Sequence, residues 1–192
     1  MIGEIMESKR DIRRLLLKKR NSLTEEQREQ YDKLIAEQLF TFTQYVKADT
    51  ILIYASYQSE VSTYPIIKYA LNTDKKIFCP KVLGPGVMEF YEITSLKDVV
   101  CGYKNIPEPK YVNNPYLNIE NSNPLMLMPL VGFDHNKNRL GYGGGFYDRY
   151  LQKFPNIYKI ALGYECQKYE MILPTEDTDI KPDRIITERM LY

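Results

Sequence analysis

A glycine cluster flanked by charged residues is the strongest chemical signal in the sequence. Residues 139–149 run Arg-Leu-Gly-Tyr-Gly-Gly-Gly-Phe-Tyr-Asp-Arg, with four glycines in the five positions 141–145. Because glycine lacks Cβ, successive backbone N–H groups in such a loop can converge on an anion. An apolar run at residues 125–131 precedes the loop, and a helix predicted at residues 146–154 would point its positive N-terminus at the same anion. The pattern predicts a phosphate-binding loop.

Charged side chains beside the loop suggest a phosphate and metal site. Arg139 and Arg149 flank the loop and would neutralise phosphate charge. Asp148 falls in the first helical turn, where its carboxylate could hold Mg²⁺ against phosphate oxygens. The loop is not a P-loop, because no Gly-Lys-Ser/Thr follows, and Phe146 at the third glycine position excludes a dinucleotide fingerprint. The alternative is a tightly turned loop without a ligand.

A basic segment near the start is the second candidate. Seven of the twelve residues at positions 9–20 are Lys or Arg. Ser8 with Asp11 resembles a helix-capping box, and Lys9 and Arg13 are four residues apart, so they share one helix face. Such a helix could bind polyphosphate or nucleic acid, but alone it is more typical of a solvated face beside an apolar stripe. Contact with the glycine loop would reverse that preference.

Single residues elsewhere are weaker candidates. Glu60 follows an apolar run at residues 50–56, and ligands of open α/β sheets gather at the carboxyl ends of strands. On spacing alone, an ordinary surface carboxylate is slightly favoured. Asp183, in Lys-Pro-Asp-Arg, could be a second metal ligand, although a turn-forming Asp is the commoner explanation. His135 is interpreted as a solvated loop residue.

The elements that would position these residues alternate between strand and helix. Helices are predicted after Ser8 and after Thr24, and at residues 64–71 and 146–154. Residues 102–124 are rich in Pro, Asn and Tyr without a period, which predicts a long surface loop. The alternation predicts an α/β fold with a mostly parallel sheet covered on both faces. Its strands are predicted at residues 50–56, 76–80, 88–93 (an edge strand or hairpin), 125–131, 159–164 and 184–187.

Composition narrows the class of protein. The 192 residues, 44% of them hydrophobic, predict a single domain over residues 1–192 and exclude global disorder. A net charge of +1 argues against a surface that binds nucleic acid throughout. Three scattered cysteines without CxxC spacing favour a reduced, cytoplasmic protein, and the longest apolar run is too short to span a bilayer. The single histidine weakens any mechanism that needs a histidine pair.

Together these motifs resemble the 5-formyltetrahydrofolate cyclo-ligase family, whose members are also called methenyltetrahydrofolate synthetases. The resemblance covers almost the whole chain, and the glycine-loop string is its most specific part. It implies a three-layer α/β/α sandwich that converts 5-formyltetrahydrofolate to 5,10-methenyltetrahydrofolate with ATP and Mg²⁺, releasing ADP and phosphate. The matching segments are Lys-Arg-x-x-Arg at 9–13, Glu60, Met-Pro-x-x-Gly-Phe-Asp at 128–134, residues 138–149, Ala-Leu-Gly-Tyr at 161–164, and Pro182 with Asp183.

The resemblance also implies roles for matching residues. Asp148 and Asp183 would bind Mg²⁺, and Tyr147 and Arg149 would be catalytic. Some members have Lys at the position of Gly144, so Arg149 is the candidate for supplying that positive charge here. The folate would contact Ala55, Glu60, Tyr142, Gly143, Gly144, Gly145 and Phe146. ATP would be held by Lys9, Arg10, Arg13, Arg139, Leu140, Gly141, Tyr142, Gly143, Gly144, Gly145, Phe146 and Tyr147.

The implied reaction explains the residue types. An N-formyl group is amide-like, so phosphorylating its oxygen makes the carbon electrophilic and the oxygen a leaving group before N10 closes the ring. That chemistry needs positioning and charge neutralisation more than imidazole catalysis. The expected partners are 5-formyltetrahydrofolate and ATP, without nucleic acid or membrane, for a monomer or weak homodimer. The alternatives are a phosphate-ligand enzyme such as a sugar-phosphate isomerase, and a nucleic-acid-binding module using the basic helix.

Overall fold

A six-stranded sheet forms the centre of the fold. The computed structural model describes residues 8–117 and 122–192. The sheet order is β10-β9-β6-β1-β2-β3, and every neighbouring pair is parallel except β2 with β3. The prediction of a mostly parallel sheet is therefore confirmed. The strands are β1 (Thr50–Ile53), β2 (Lys76–Gly84), β3 (Val87–Ile93), β4 (Val99–Cys101), β5 (Pro107–Pro109), β6 (Pro124–Pro129), β7 (Gly132–Phe133), β8 (Arg139–Leu140), β9 (Tyr158–Leu162) and β10 (Arg184–Ile186).

The helices begin where the capping signals predict them. Ser8 Oγ accepts a hydrogen bond from the Asp11 N–H, and Thr24 with Gln27 forms a complete capping box. No helix in the described ranges is both long and apolar enough to cross a membrane. The helix α3 was not predicted, because its five residues are too few to show a helical period. The helices are α1 (Lys9–Asn21), α2 (Glu25–Thr41), α3 (Thr43–Lys47), α4 (Tyr64–Leu71) and α5 (Phe146–Lys153).

Helices cover both faces of the sheet, which confirms the three-layer α/β/α architecture. On one face, α2, α3 and α4 pack against alternate residues of β1, β6 and β9, including the fully buried Ile51 and Leu125. On the other face, α5 packs Tyr150 and Leu151 against a second set that includes Met126. The first helix belongs to neither layer. It packs its apolar stripe against residues that follow the carboxyl end of β6 (Ile12 and Leu16 with Val131, Leu140 and Leu173).

The predicted long loop at residues 102–124 contains more structure than expected. β5 pairs with β4, and a 3₁₀ turn over Tyr103–Asn105 connects them. Buried Glu108 holds this ribbon against β2, because its Oε1 accepts the Val82 N–H at 3.1 Å. A strand of three residues, two of them proline, has no detectable alternation, so it could not be predicted from local pattern. Residues 118–121 of that prediction lie outside the described residues.

Candidate active site

The candidate site lies where β1 and β6 end side by side. From β1 the chain continues to β2 on one side of the sheet, whereas from β6 it continues to β9 on the other. The carboxyl ends of two such strands border the crevice in which open α/β sheets bind ligands. Buried Ala55 and half-buried Glu60 follow β1, and the glycine loop follows β6. The structure thus brings together the two predicted halves of the site.

A short β-ribbon, rather than a direct connection, joins β6 to the glycine loop. β7 pairs antiparallel with β8, and fully buried Asp134 fixes the turn between them. Its Oδ1 accepts the N–H groups of Asn136 and Asn138 at 2.9 Å each. His135 lies exposed in this turn, as predicted. The ribbon carries Arg139 back under the glycine loop.

Glycine is required at several positions of the loop. Gly143 and Gly145 have φ angles of +95° and +62°, which L side chains rarely adopt. At Gly144, a Cβ atom would lie 2.7 Å from ring carbons of Phe146. Gly145 is the N-cap of α5, so the loop leads directly to the positive end of that helix. The structure therefore contains both features that the glycine pattern predicts, a glycine loop after a strand and a helix N-terminus beside it.

The first helix docks against the glycine loop. Arg13 Nε donates to the Gly141 carbonyl at 2.7 Å, and its guanidinium lies beside Gly143. Gly132 allows this approach, because a Cβ there would lie 2.1 Å from Leu16 Cδ1. Because α1 contacts the glycine loop, its basic side chains are better explained as polyphosphate-binding groups than as a solvated face.

The two remaining basic candidates of α1 differ in their surroundings. Lys9 Nζ bonds Asp179 at 2.7 Å and Glu176 at 2.9 Å. Burial opposes the charged form, but these hydrogen bonds outweigh it and raise the pKa of Lys9, so the amine stays protonated. Arg10 is exposed on α1 and lines an open groove with Arg14 and other residues of the helix. Lys9 is therefore held beside the site, whereas Arg10 faces a more open surface.

Arg139 forms a nearly buried ion pair with Asp148. The Arg139 side chain is 5% exposed, and its Nη2 lies 2.9 Å from Asp148 Oδ1. Its Nε is buried and has no hydrogen-bond partner within the described residues. Asp148 Oδ1 also accepts the Ile180 N–H at 3.1 Å, which leaves Oδ2 without a hydrogen bond from the described chain. Arg139 thus brings positive charge under the glycine loop.

The surroundings of Asp148 fit a magnesium ion held partly by phosphate. Mg²⁺ commonly takes one or two protein carboxylates and completes its octahedron with water and phosphate oxygens. The Oδ2 of Asp148, which accepts no hydrogen bond from the described chain, is the type of oxygen that such a site uses. Within the described residues there is no group of three or more His, Cys, Asp or Glu side chains that could hold a metal ion by itself. The protein therefore offers a partial site rather than a closed cage.

Asp183 lies apart from this carboxylate. It precedes β10 at the amino end of the sheet, and its Oδ2 accepts the Lys159 N–H at 2.7 Å and lies 3.1 Å from Lys159 Nζ. Among the described residues, no contact joins Asp183 to Asp148. In this structure the Asp183 carboxylate holds the beginning of β9 in place, and its role as a metal ligand stays a prediction.

Arg149 and Tyr147 occupy different environments. Exposed Arg149 donates from Nε to the Gly86 carbonyl at 2.9 Å and from Nη2 to the Gly144 carbonyl, so its charge lies beside Gly144. Tyr147 is partly buried near Arg139, whose guanidinium carbon is 5.8 Å from the ring centre. Burial, with the charge of Glu60, raises the pKa of Tyr147 well above its ordinary value. Tyr147 is thus a neutral phenol and not a general base at neutral pH.

Tyr142 lies close to a buried arginine and acts on Glu60. Glu60 Oε2 accepts the Tyr57 N–H at 2.8 Å. Arg20 Nη1 donates to the Tyr142 hydroxyl at 2.9 Å. Burial raises the pKa of Glu60 overall, although the Tyr142 hydroxyl, the Tyr57 N–H and the charge of Arg20 oppose this shift. The Tyr142 side chain is 50% exposed, so it presents ring surface to a ligand while its hydroxyl is held.

Two contributors to the site were not predicted from the sequence. Arg20 is only 2% exposed, and it continues the i, i+4, i+8 apolar stripe of Ile12 and Leu16. The sequence did contain a signal for it, namely a charged residue at the helical spacing of a buried apolar stripe. The segment of residues 176–180 was also missed, although it supplies the acidic partners of Lys9 and the N–H group that bonds Asp148.

Comparison with known proteins identifies the family. Residues 5–188 match the model of the 5-formyltetrahydrofolate cyclo-ligase family. The Escherichia coli (strain K12) 5-formyltetrahydrofolate cyclo-ligase is 32% identical over 183 residues, covering 93% of this chain and 99% of the relative. The Haemophilus influenzae protein of that name is 33% identical over 187 residues, covering 91% and 94%.

A solved structure agrees with these sequence matches. The NMR structure of Aquifex aeolicus 5,10-methenyltetrahydrofolate synthetase has a TM-score of 0.81 and 30% identity, over 95% of this chain and 91% of that one. The glycine loop, the docked basic helix and the carboxylate after β1 all lie in the segments on which the resemblance rested. The chain therefore belongs to the 5-formyltetrahydrofolate cyclo-ligase family and is a ligase.

Proposed function

We propose that this protein uses ATP and Mg²⁺ to convert 5-formyltetrahydrofolate to 5,10-methenyltetrahydrofolate, releasing ADP and phosphate, as a cytoplasmic monomer or weak homodimer. The family supports the substrate and product. The docking of α1 carries the ATP half of the proposal, because the 2.7 Å bond from Arg13 to Gly141 gathers cations around the glycine loop. Glu60 follows β1, next to the segment that Arg20 of the same helix contacts, and we propose that the folate binds there.

The reaction transfers the γ-phosphoryl group of ATP to the formyl oxygen. A bond forms between that oxygen and phosphorus while the bond from phosphorus to ADP breaks. The electron pair of N10 then attacks the activated carbon, the carbon–oxygen bond breaks, and phosphate departs. Loss of the N10 proton leaves the positive charge shared between N5 and N10 of the product. Catalysis by positioning and charge stabilisation suits this sequence of steps.

The residues around the glycine loop are suited to hold the polyphosphate. Arg13 and Lys9 would bind phosphate oxygens from α1, with Arg10 near the outer end of the nucleotide. The Nε of Arg139, which has no hydrogen-bond partner among the described residues, would be a donor to an anion bound at the loop. Backbone N–H groups of residues 140–147 would complete the cradle at the N-terminus of α5. Bound Mg²⁺, held by Asp148 with Asp183 as the second candidate ligand, would neutralise charge on the transferred phosphoryl group.

The opposite side of the loop is suited to the folate. The Glu60 carboxylate would accept hydrogen bonds from the amino and ring N–H groups of the pterin, and the exposed Tyr142 ring would pack against it. Ala55 and residues 143–146 would form the walls close to the formyl group. Arg149, beside Gly144, would place a positive charge near the transferred phosphoryl group, and the neutral Tyr147 hydroxyl would be a donor to it.

The decisive test is an absorbance assay for methenyl-folate. Purified protein with 5-formyltetrahydrofolate and Mg²⁺ should form product only when ATP is added, and Asp148→Ala should abolish turnover. A sugar-phosphate isomerase needs no ATP, and a nucleic-acid-binding module would show salt-sensitive binding that survives Asp148→Ala. Absence of ATP-dependent product would overturn the proposal.

A further inference from the structure

A fully buried arginine connects the first helix to the proposed folate side of the site. Arg20, the penultimate residue of α1, is 2% exposed. Its Nε donates to Ser59 Oγ at 3.0 Å, and its Nη1 lies 2.9 Å from the Tyr142 hydroxyl and 3.4 Å from the Leu130 carbonyl. One guanidinium therefore contacts the segments that follow β1 and β6 together with the glycine loop.

The charge of Arg20 is stabilised by neutral hydrogen-bond acceptors rather than by a direct salt bridge. Within the described residues, no carboxylate lies within 4.0 Å of its nitrogens. The guanidinium donates instead to the Ser59 hydroxyl, the Tyr142 hydroxyl and the Leu130 carbonyl. Because burying an unpaired charge is costly, these hydrogen bonds favour one arrangement of the three segments.

Arg20 also fixes the segment that carries Glu60. Ser59, which accepts from Arg20, donates in turn to Asn21 Oδ1 at 2.5 Å, so α1 holds residue 59 from two sides. Below the segment, the Tyr164 hydroxyl bonds Asp32 at 2.7 Å and lies 3.5 Å from the Glu60 carbonyl. These contacts fix the backbone that carries Glu60.

We propose that Arg20 is a positioning residue that, through its hydrogen bonds to Tyr142 and Ser59, holds the Tyr142 ring and the segment of Glu60 in place to receive the pterin of the folate. The inference rests on the proposed function for the identity of the ligand, but not for the geometry. Because Arg20 is 2% exposed, it would act on a bound folate only through Glu60 and Tyr142 and not by direct contact. Its loss should therefore affect folate recognition much more than ATP recognition.

Several charged and titratable groups lie around Glu60 and would affect its measured pKa. Arg20 from α1 and Tyr142 from the glycine loop act on it directly. Tyr54 at the end of β1 and Tyr147 on α5 also interact with its charge, but burial keeps both phenols neutral. Asp32 lies behind Tyr164 and interacts with Tyr54 rather than with Glu60. Removing Arg20 therefore removes the only cation acting on Glu60 among these groups.

The test compares Arg20→Met, Arg20→Lys and Tyr142→Phe with wild type, using Lys19→Met as the exposed control on the same helix turn. Arg20→Met should raise the KM for 5-formyltetrahydrofolate roughly tenfold or more, with the ATP KM changed less than about twofold. Arg20→Lys should recover part of the loss. Tyr142→Phe, at a half-exposed ring, should raise the folate KM without loss of fold. Lys19→Met should behave as wild type.

A second readout does not depend on turnover. In the free proteins, carboxyl ¹³C NMR should show a higher pKa for Glu60 in Arg20→Met than in wild type, because a cation that lowers it has been removed. Equal changes in both KM values, or an unchanged Glu60 titration in a folded Arg20→Met protein, would overturn the inference. Wild type that forms no methenyl-folate would instead overturn the proposed function and leave the NMR comparison valid.

Discussion

The ion pair of Arg139 with Asp148 allows a quantitative prediction for Arg139→Met. The change removes the 2.9 Å partner of a carboxylate whose side chain is 17% exposed. Breaking a buried pair on one side costs about 3–5 kcal/mol. Because Asp148 keeps the Ile180 N–H and some solvent contact, we expect the lower end, about 3 kcal/mol of unfolding free energy. Asp148→Asn in the same chain should recover much of that loss.

The same variant tests the ATP role of Arg139. Losing a charge-assisted hydrogen bond worth about 1.5–3 kcal/mol corresponds to a rise of roughly 10- to 100-fold in the ATP KM. Urea unfolding followed by circular dichroism measures the stability change, and steady-state kinetics at saturating folate measures the KM. Arg189→Met, at a 73% exposed side chain, is the matched control. An ATP KM within twofold of wild type in a folded Arg139→Met protein would remove that residue from the ATP site.

Three further predictions concern the supports of the site. Gly132→Ala should destabilise the protein by about 1–3 kcal/mol and raise the ATP KM, because its Cβ would lie 2.1 Å from Leu16 and push α1 off the ribbon; thermal unfolding and kinetics would check this. Asp148→Asn should raise the Mg²⁺ concentration needed for half-maximal rate, and the same measurement on Asp183→Asn decides whether that carboxylate is a ligand. Burial raises the pKa of Asp179, but hydrogen bonds from Lys9 and a backbone N–H outweigh it and lower the pKa overall. Wild type should therefore be more stable than Asp179→Asn near neutrality and lose that advantage below about pH 4. Denaturation curves measured at several pH values would check this.

Periodicity and capping were sufficient to predict most of the fold. The continuous apolar runs at β1 and β6 and the capping box at Thr24 are local signals, and the structure confirms them. The predictions failed where the determining contact is remote. The β5 strand exists because Glu108 bonds Val82, 26 residues earlier in the chain. The β7–β8 ribbon depends on a buried aspartate that also bonds Leu173, and no local pattern reveals that contact.

The site was predictable in its chemistry but not in its assembly. Glycine spacing predicted the positive-φ loop, because that requirement is local to residues 143–145. The bond from Arg13 to Gly141 spans 128 residues, so no motif could show that the basic helix reaches the loop. For Asp183, the residue type allows both a metal ligand and a turn, and only the structure shows its bond to Lys159. Arg20 was missed because basic segments are usually interpreted as solvated.

The long span between α1 and its docking site has a consequence for biosynthesis. Arg13 and Gly141 are 128 residues apart, and Lys9 reaches a partner 170 residues away. At about 5–20 residues per second, roughly 6–25 s pass before the ribosome makes the loop on which α1 docks. During that time the Ile12 and Leu16 stripe has no native partner, so the nascent helix is a natural target for chaperones. Activity should therefore emerge only after the last fifth of the chain has been synthesised.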